Sequence, residues 1–205
     1  MPLPASLRLI AHASTRAMRT GAFPDDNPLD ARGLAEAAAW RGRWSRAGGS
    51  LVVLCSPACC ARQTADALGL RADVDDALRD IDYGNWHGKR LSDLARDLPA
   101  ELAAWIGDPS ASPHGGESFA AAAHRVGTWL HALPRDRDVI AITHAPLVRA
   151  ALAHVLRMAP AAAMRLDIAP LSCTTFTAST HGWSWVAPDD DRRDAGGSTP
   201  VVPTM

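Results

Sequence analysis

Leu51-Val52-Val53-Leu54-Cys55-Ser56-Pro57-Ala58-Cys59-Cys60-Ala61-Arg62-Gln63-Thr64-Ala65-Asp66-Ala67-Leu68-Gly69 is the stretch that decides the fold. Its first five residues form an unbroken apolar run, too short for a helix and suited to a buried strand. Ser56-Pro57 breaks the run, and Ala58 to Leu68 then reads as a helix closed by Gly69. Strand, sharp turn and helix make the βα unit of a mostly parallel sheet.

The same grammar recurs on both sides. Leu7 to Ala11 and Val139 to Thr143 are further short apolar runs. Pro146 sits at the first position of a helix that runs to about Met158, where its missing N–H costs nothing. Ser14 to Pro28 reads as a polar loop punctuated by Gly21, Pro24 and Pro28. Asp30 precedes an Ala-rich helix, Ala31 to Ala47, closed by Gly48-Gly49. Val74 to Leu78 is a short extended piece, and Ser92 to Asp97 and Glu101 to Ile106 are helical. A polar loop from Asp108 to Glu117 precedes an amphipathic helix, Phe119 to Leu133. Met164 to Ile168 and Cys173 to Ala178 are candidate strands, with Trp183 to Val186 as a last edge strand open to pairing in a homodimer. From Pro188 onward Asp, Arg, Gly and Pro dominate. The expectation is an α/β three-layer sandwich: a mostly parallel central sheet with helices on both faces, one domain over residues 1–187 and a flexible tail over 188–205.

Bulk properties narrow the function. The chain has 205 residues, of which 47% are hydrophobic, an ordinary globular profile. A net charge of -1 argues against nucleic acid as a partner. No stretch approaches the roughly 20 apolar residues of a membrane span. The start lacks the basic-then-apolar pattern of a signal peptide, so a cytoplasmic location is expected. The four cysteines, Cys55, Cys59, Cys60 and Cys173, do not form the two separated ligand pairs of a zinc site, and they read as small thiols in a reducing compartment. No metal and no cofactor is expected.

In open α/β sheets, ligands bind beyond the carboxyl ends of the strands. Leu7 to Ala11 ends in His12-Ala13-Ser14-Thr15, and Val139 to Thr143 ends in His144-Ala145-Pro146. Two histidines at matching strand ends, with a helix start between them, point to one shared crevice.

These residues resemble the histidine phosphatases, a family that includes cofactor-dependent phosphoglycerate mutases. The family's Arg-His-Gly is similar to Ala11-His12-Ala13, and its Ser-x-x-x-Arg-Ala-x-x-Thr to Ser56 through Thr64. Its Leu-x-Glu-x-x-x-Gly-x-x-x-Gly resembles Leu78 through Gly88, with Asp80 in place of the Glu. Gly116-Glu117-Ser118, with Arg125 behind, and Thr143-His144-Ala145-Pro146-Leu147-Val148-Arg149 resemble two further motifs. The resemblance runs in order from about Leu7 to Trp185.

The resemblance implies a phosphoglycerate mutase-like fold and a mechanism. A neutral histidine attacks phosphorus, a second histidine and two arginines neutralise the phosphoryl oxygens, and a carboxylic acid protonates the leaving oxygen. His12 is then the nucleophile, His144 the second phosphate ligand and Asp80 the acid. Thr15, Trp86 and Glu117 are expected to bind substrate beside these motifs, joined by Arg16 and Arg19 from the loop after His12, with small phosphorylated metabolites or inorganic phosphate as the ligand.

The departures are as informative. Ala11 and Cys60 stand where the family carries its two arginines. Arg62 is no substitute, since two helical positions turn a side chain by roughly 200°. Losing one electrostatic donor costs about 10² to 10³ in turnover. Arg16 and Arg19, just after His12, are the candidates to compensate, with surface arginines on a polar loop as the plainer reading. His87 and His114 read as solvated loop residues and Arg149 as structural. The expected function is a histidine-type phosphomonoesterase, hydrolysis being favoured over mutase activity because the substitutions remove positive charge. Two alternatives stand beside it: a catalytically impaired binding or regulatory module, and an enzyme adapted to a less anionic substrate.

Overall fold

The computed structural model describes residues 5–44, 51–180 and 182–187, over which six strands form one mixed sheet. The strands are β1 (Ser6–Ala11), β2 (Leu51–Cys55), β3 (Asp73–Val74), β4 (Asp138–Thr143), β5 (Cys173–Ser179) and β6 (Gly182–Val186), in the order β3-β2-β4-β1-β5-β6. The first four of that order run parallel; β5 and β6 are antiparallel additions at one edge.

Alternation along the strands decides which helix lies on which face. Leu7, Leu9, Val139 and Ala141 point to one side and pack with Val126 and Leu130 of α6 (Phe119–Ala132) and Val148 and Ala151 of α7 (Ala145–Leu156). Ile10, Ile140 and Ile142 point to the other side, against Ala61, Ala65 and Leu68 of α3 (Cys59–Leu68). Both faces of the central strands are therefore covered, which is why those strands read as continuous apolar runs. The result is the three-layer α/β arrangement expected from the sequence. None of the helices in the described residues is long and apolar enough to cross a membrane.

Several elements differ from expectation. Residues 14–28 are not all loop: α1 (Arg16–Thr20) forms there, held by Thr15 Oγ1, which accepts the Met18 N–H at 3.3 Å, and closed by Gly21 in the left-handed region. A single helical turn is too short to leave a periodic signal and relies on such caps. The Ala-rich helix α2 (Ala31–Ala39) stops earlier than expected, passing into tight turns in which Arg41 and Arg43 donate to the Ala38 and Trp40 carbonyls. Its expected continuation over 45–47, with Gly48-Gly49, lies outside the described residues, as does the tail 188–205. Met164 to Ile168 is not a strand but a turn after the short helix α8 (Pro160–Ala163). The Leu166 carbonyl there is taken by Arg149 Nε at 2.7 Å rather than by a neighbouring strand. The two helical stretches before α6 are present as α4 (Leu91–Asp97) and α5 (Pro99–Gly107).

Candidate active site

β1 and β4 are adjacent and in parallel register, with Ala11 opposite Thr143. The His12 N–H donates to the Thr143 carbonyl at 2.8 Å, so the two chains leave the sheet together and carry His12 and His144 out side by side. Their ring centroids stand 5.0 Å apart at 67°. β2 flanks β4 on its other side, and Ser56, just past its end, places Oγ 2.8 Å from His144 Nε2. Thr143 Oγ1 donates to the Leu78 carbonyl at 2.9 Å, which draws the segment bearing Asp80 over the same edge.

A hydrogen bond to a carbonyl fixes the tautomer of His12. A carbonyl can only accept, so His12 Nδ1 donates to Ala13 O at 2.8 Å and Nε2 keeps the lone pair of the neutral imidazole. His144 is buried, and its Nδ1 has no hydrogen-bond partner. It lies 3.4 Å from Asp80 Oδ2, whose other oxygen accepts the Ile81 N–H at 2.8 Å. Loss of hydration, reinforced by the neighbouring His144, pulls His12 down to about 4. Burial, with Arg125 second, pulls His144 down to about 3. Burial pushes the Asp80 carboxyl up to about 6, against the Ile81 hydrogen bond and the lesser pull of His12 and Arg125. Near neutral pH the site thus holds two neutral imidazoles, one with a free nitrogen, beside a carboxyl that takes up a proton under mildly acidic conditions.

The Asp80 segment is clamped from behind. Arg125 donates to Glu117 through Nη2 at 2.6 Å and Nε at 3.0 Å, and through Nη1 to the Ala77 and Arg79 carbonyls at 2.7 and 3.1 Å. Glu117 therefore acts through Arg125 and does not line the cleft. Gly116 passes so close to the Asp82 carbonyl that any Cβ would collide with it, which accounts for glycine there.

Not every expected residue reaches the cleft. Thr15 lines it while capping α1. Arg16 is exposed and outside it, and Arg19 is tied to Asp30 Oδ2 at 2.7 Å. Neither guanidinium swings toward His12, because the turn of α1 directs them outward. Trp86 is 1% exposed and packs on Phe23 and His114, so it belongs to the core below the cleft and not to its wall. His114 is fully buried, contrary to its reading as a solvated loop residue, and its Nδ1 accepts the Gly116 N–H. His87 does border the cleft; its nitrogens meet the Pro24 carbonyl and Asp82 Oδ1, and the carbonyl bond is the main reason its pKa is raised. Arg62 is exposed on the far side of α3.

Two further residues enter the site. Cys60 lines the cleft, and burial pushes its thiol up to about 12, so it stands there as a neutral thiol near neutral pH. Asp26 also lines it, and its Oδ1 accepts the Cys59 N–H at 2.7 Å, at the head of α3. The string Asp25-Asp26-Asn27-Pro28 signals a turn in the sequence but not which turn residue faces a ligand. The cleft encloses about 230 Å³ with mostly apolar walls, and among the described residues none lining it is Arg or Lys.

Comparison with known proteins agrees with this geometry. A family model described as the histidine phosphatase superfamily (branch 1) matches residues 7–191. The chain is 32% identical over 193 residues to the bifunctional protein Rv2228c of Mycobacterium tuberculosis, covering 85% of this chain and 51% of that relative. It thus spans about half the length of that curated relative. Glucosyl-3-phosphoglycerate phosphatase of the same species is 32% identical over 101 residues, 44% of this chain and 45% of that protein. Among solved structures, the mycobacterial glucosyl-3-phosphoglycerate phosphatase Rv2419c with VO3 superposes with a TM-score of 0.72 at 27% identity, covering 89% of this chain and 96% of that one. The same phosphatase with inorganic phosphate superposes with a TM-score of 0.72 at 26% identity, over 89% and 94%.

Proposed function

The chain belongs to the histidine phosphatase superfamily, and on that premise we propose that it is a phosphomonoesterase working through a phosphohistidine on His12. The observation that carries this reading is the lone pair of His12 Nε2, held by the Nδ1 hydrogen bond to Ala13 and facing His144 and Asp80 across one cleft. His12 Nε2 attacks phosphorus as the bond to the leaving oxygen breaks, and Asp80 gives that oxygen its proton. A water then attacks the phosphohistidine, Asp80 takes the water's proton, and inorganic phosphate leaves with the imidazole restored. His144 faces the transferring phosphoryl group, with Thr15 at the cleft's edge.

The substrate in this reading is a small phosphorylated metabolite, which suits a cleft of about 230 Å³. Relatives that act on glucosyl-3-phosphoglycerate or phosphoserine suggest the class of compound to try first. Hydrolysis is favoured over mutase chemistry, since a second phosphate needs further cations and no Arg or Lys among the described residues lines the cleft. Incubation with a panel of small phosphomonoesters is expected to release phosphate and to leave an acid-labile phosphoryl label on His12. His12→Ala should lose the label and about 10³ or more of the rate. No phosphate release together with no label sinks the reading.

A second reading is favoured by the lack of Arg and Lys among the described residues that line the cleft. On it, the fold serves as a binding or regulatory module whose catalysis has decayed. It expects the double variant Ala11→Arg with Cys60→Arg to gain turnover where the natural chain has none. Natural turnover at a rate comparable with the double variant's ends it.

A further inference from the structure

We propose that His12, Cys60 and His144 form a binding site for Zn²⁺ at the base of the cleft, and that the ion competes with phosphorylation for His12. The binding claim stands on geometry alone. Its consequence for catalysis rests on the phosphatase reading above.

Among the described residues, these three side chains each offer a ligand atom, and the three atoms lie within 4.8 Å of one another. They come from three separate places: the loop after β1, the first turn of α3 and the loop after β4. With Zn–N near 2.0–2.1 Å and Zn–S near 2.3 Å, a tetrahedral ion needs ligand atoms about 3.3–3.6 Å apart. Side-chain rotations that bring the atoms about 1 Å closer complete the set.

The surroundings suit a metal in three ways. A ligating histidine characteristically gives its other ring nitrogen to a carbonyl or similar partner, which orients the ring. His12 already does so, through Nδ1 to Ala13 O, and His144 does the same in the tautomer that places Nε2–H on Ser56 Oγ, 2.8 Å away. The nitrogens left over are His12 Nε2 and His144 Nδ1, and the second is buried with no hydrogen-bond partner, a cost that coordination removes. The charge also fits. Asp26 and Asp80 line the cleft and, among the described residues, no Arg or Lys does, so a cation meets two carboxyl groups at the wall, with Arg125 as the positive charge felt from behind.

Two imidazoles and a sulfur select Zn²⁺ over the oxygen-seeking Mg²⁺ and Ca²⁺. Coordination replaces the proton on Cys60 Sγ, which leaves to solvent, and three protein ligands leave a fourth position for water. An Nε2 lone pair shared with the ion cannot attack phosphorus. The zinc-bound chain is therefore silent as a phosphohistidine enzyme.

Co²⁺ titration of the full chain tests the site independently of activity. One equivalent should give a thiolate-to-cobalt band in the near ultraviolet with the intense visible bands of four-coordinate cobalt, and one equivalent of Zn²⁺ should bleach both. Cys60→Ser and His144→Gln should each weaken binding at least tenfold, while Cys59→Ser should leave the bands in place. If circular dichroism shows that Cys60→Ser or His144→Gln fails to fold, His12→Asn serves as the ligand deletion. No thiolate band in the natural chain, or a band that survives Cys60→Ser, overturns the site. Zn²⁺ should also slow phosphate release in proportion to its occupancy, and unchanged or faster release overturns the competition. A chain with the cobalt bands but no phosphatase activity keeps the metal site and loses the enzyme reading. A chain with activity but no bands does the reverse.

Discussion

Asp80 Oδ2 stands 3.4 Å from His144 Nδ1, and burial drives the two groups in opposite senses, the carboxyl up to about 6 and the imidazole down to about 3. Above pH 6 this contact joins a carboxylate to a neutral ring. Below it, both partners are uncharged until the imidazole titrates. No pH between those values makes them a pair of opposite charges.

That ordering predicts an acid optimum. The nucleophile must be unprotonated, and His12 is lowered to about 4; the acid must be protonated, and Asp80 is raised to about 6. Hydrolysis, as kcat/KM, should therefore plateau between about pH 4 and 6 and fall about tenfold per unit above. Asp80→Asn should lower the plateau and flatten its alkaline limb. A pH–rate series in which the natural chain is fastest at pH 8 would contradict the assignment of Asp80 as the acid.

Asp26 places a carboxylate where an anion would meet the N-terminus of α3, its Oδ1 accepting the Cys59 N–H at 2.7 Å. A ligand phosphate thus faces a fixed negative charge on its own wall. Asp26→Asn keeps the acceptor and tolerates the positive φ of 46° found there. Inhibition by inorganic phosphate should tighten about two- to fivefold. Unchanged inhibition constants would mean that phosphate binds out of range of residue 26.

Arg125 is the strut of the acid segment, bonded to Glu117 and to the carbonyls of Ala77 and Arg79. Arg125→Met leaves Glu117, largely buried, with only the long contact to Arg79 Nη2 at 3.9 Å and frees those carbonyls, a cost of about 3 kcal/mol in stability. Arg125→Lys restores the charge but not the fork. It should fold, yet lose at least about tenfold in kcat through misplacement of Asp80, with little change in KM. Urea melts and steady-state kinetics on both variants separate the two effects, and a kcat for the lysine variant equal to that of the natural chain would remove the positioning role.

Trp86 packs between Phe23, at a centroid distance of 5.3 Å, and His114, also at 5.3 Å. Trp86→Ala should cost about 3–5 kcal/mol of stability, read as a lower urea midpoint with an unchanged slope. Trp86→Phe should cost less and leave KM within about twofold, since the ring does not line the cleft. A large rise in KM for the phenylalanine variant would return Trp86 to the substrate wall.

The sequence alone determined what depends on neighbours along the chain. Leu7 to Ala11, Leu51 to Cys55 and Val139 to Thr143 read as buried strands because a strand covered on both faces is apolar throughout, a property of composition over five residues. The caps at Asp30 and Gly69 were legible for the same reason, since a helix end is satisfied by residues a few positions away. Two histidines at matching strand ends were enough to nominate one crevice.

Only the tertiary structure decided which chain segments meet across it. Sheet order sets β1 beside β4, and that adjacency brings His12 to 5.0 Å from His144. Arg19 looked available in the sequence, yet its partner Asp30 comes from the cap of the next helix and holds it away from the cleft. Arg149, in turn, takes a carbonyl from a segment that had read as a strand. The grouping of Cys60 with the two histidines has no spacing in the chain to announce it. Periodicity and caps are short-range and act within one element, whereas side-chain partners and ligand sets are fixed by how whole elements pack, over distances along the chain that no local pattern encodes.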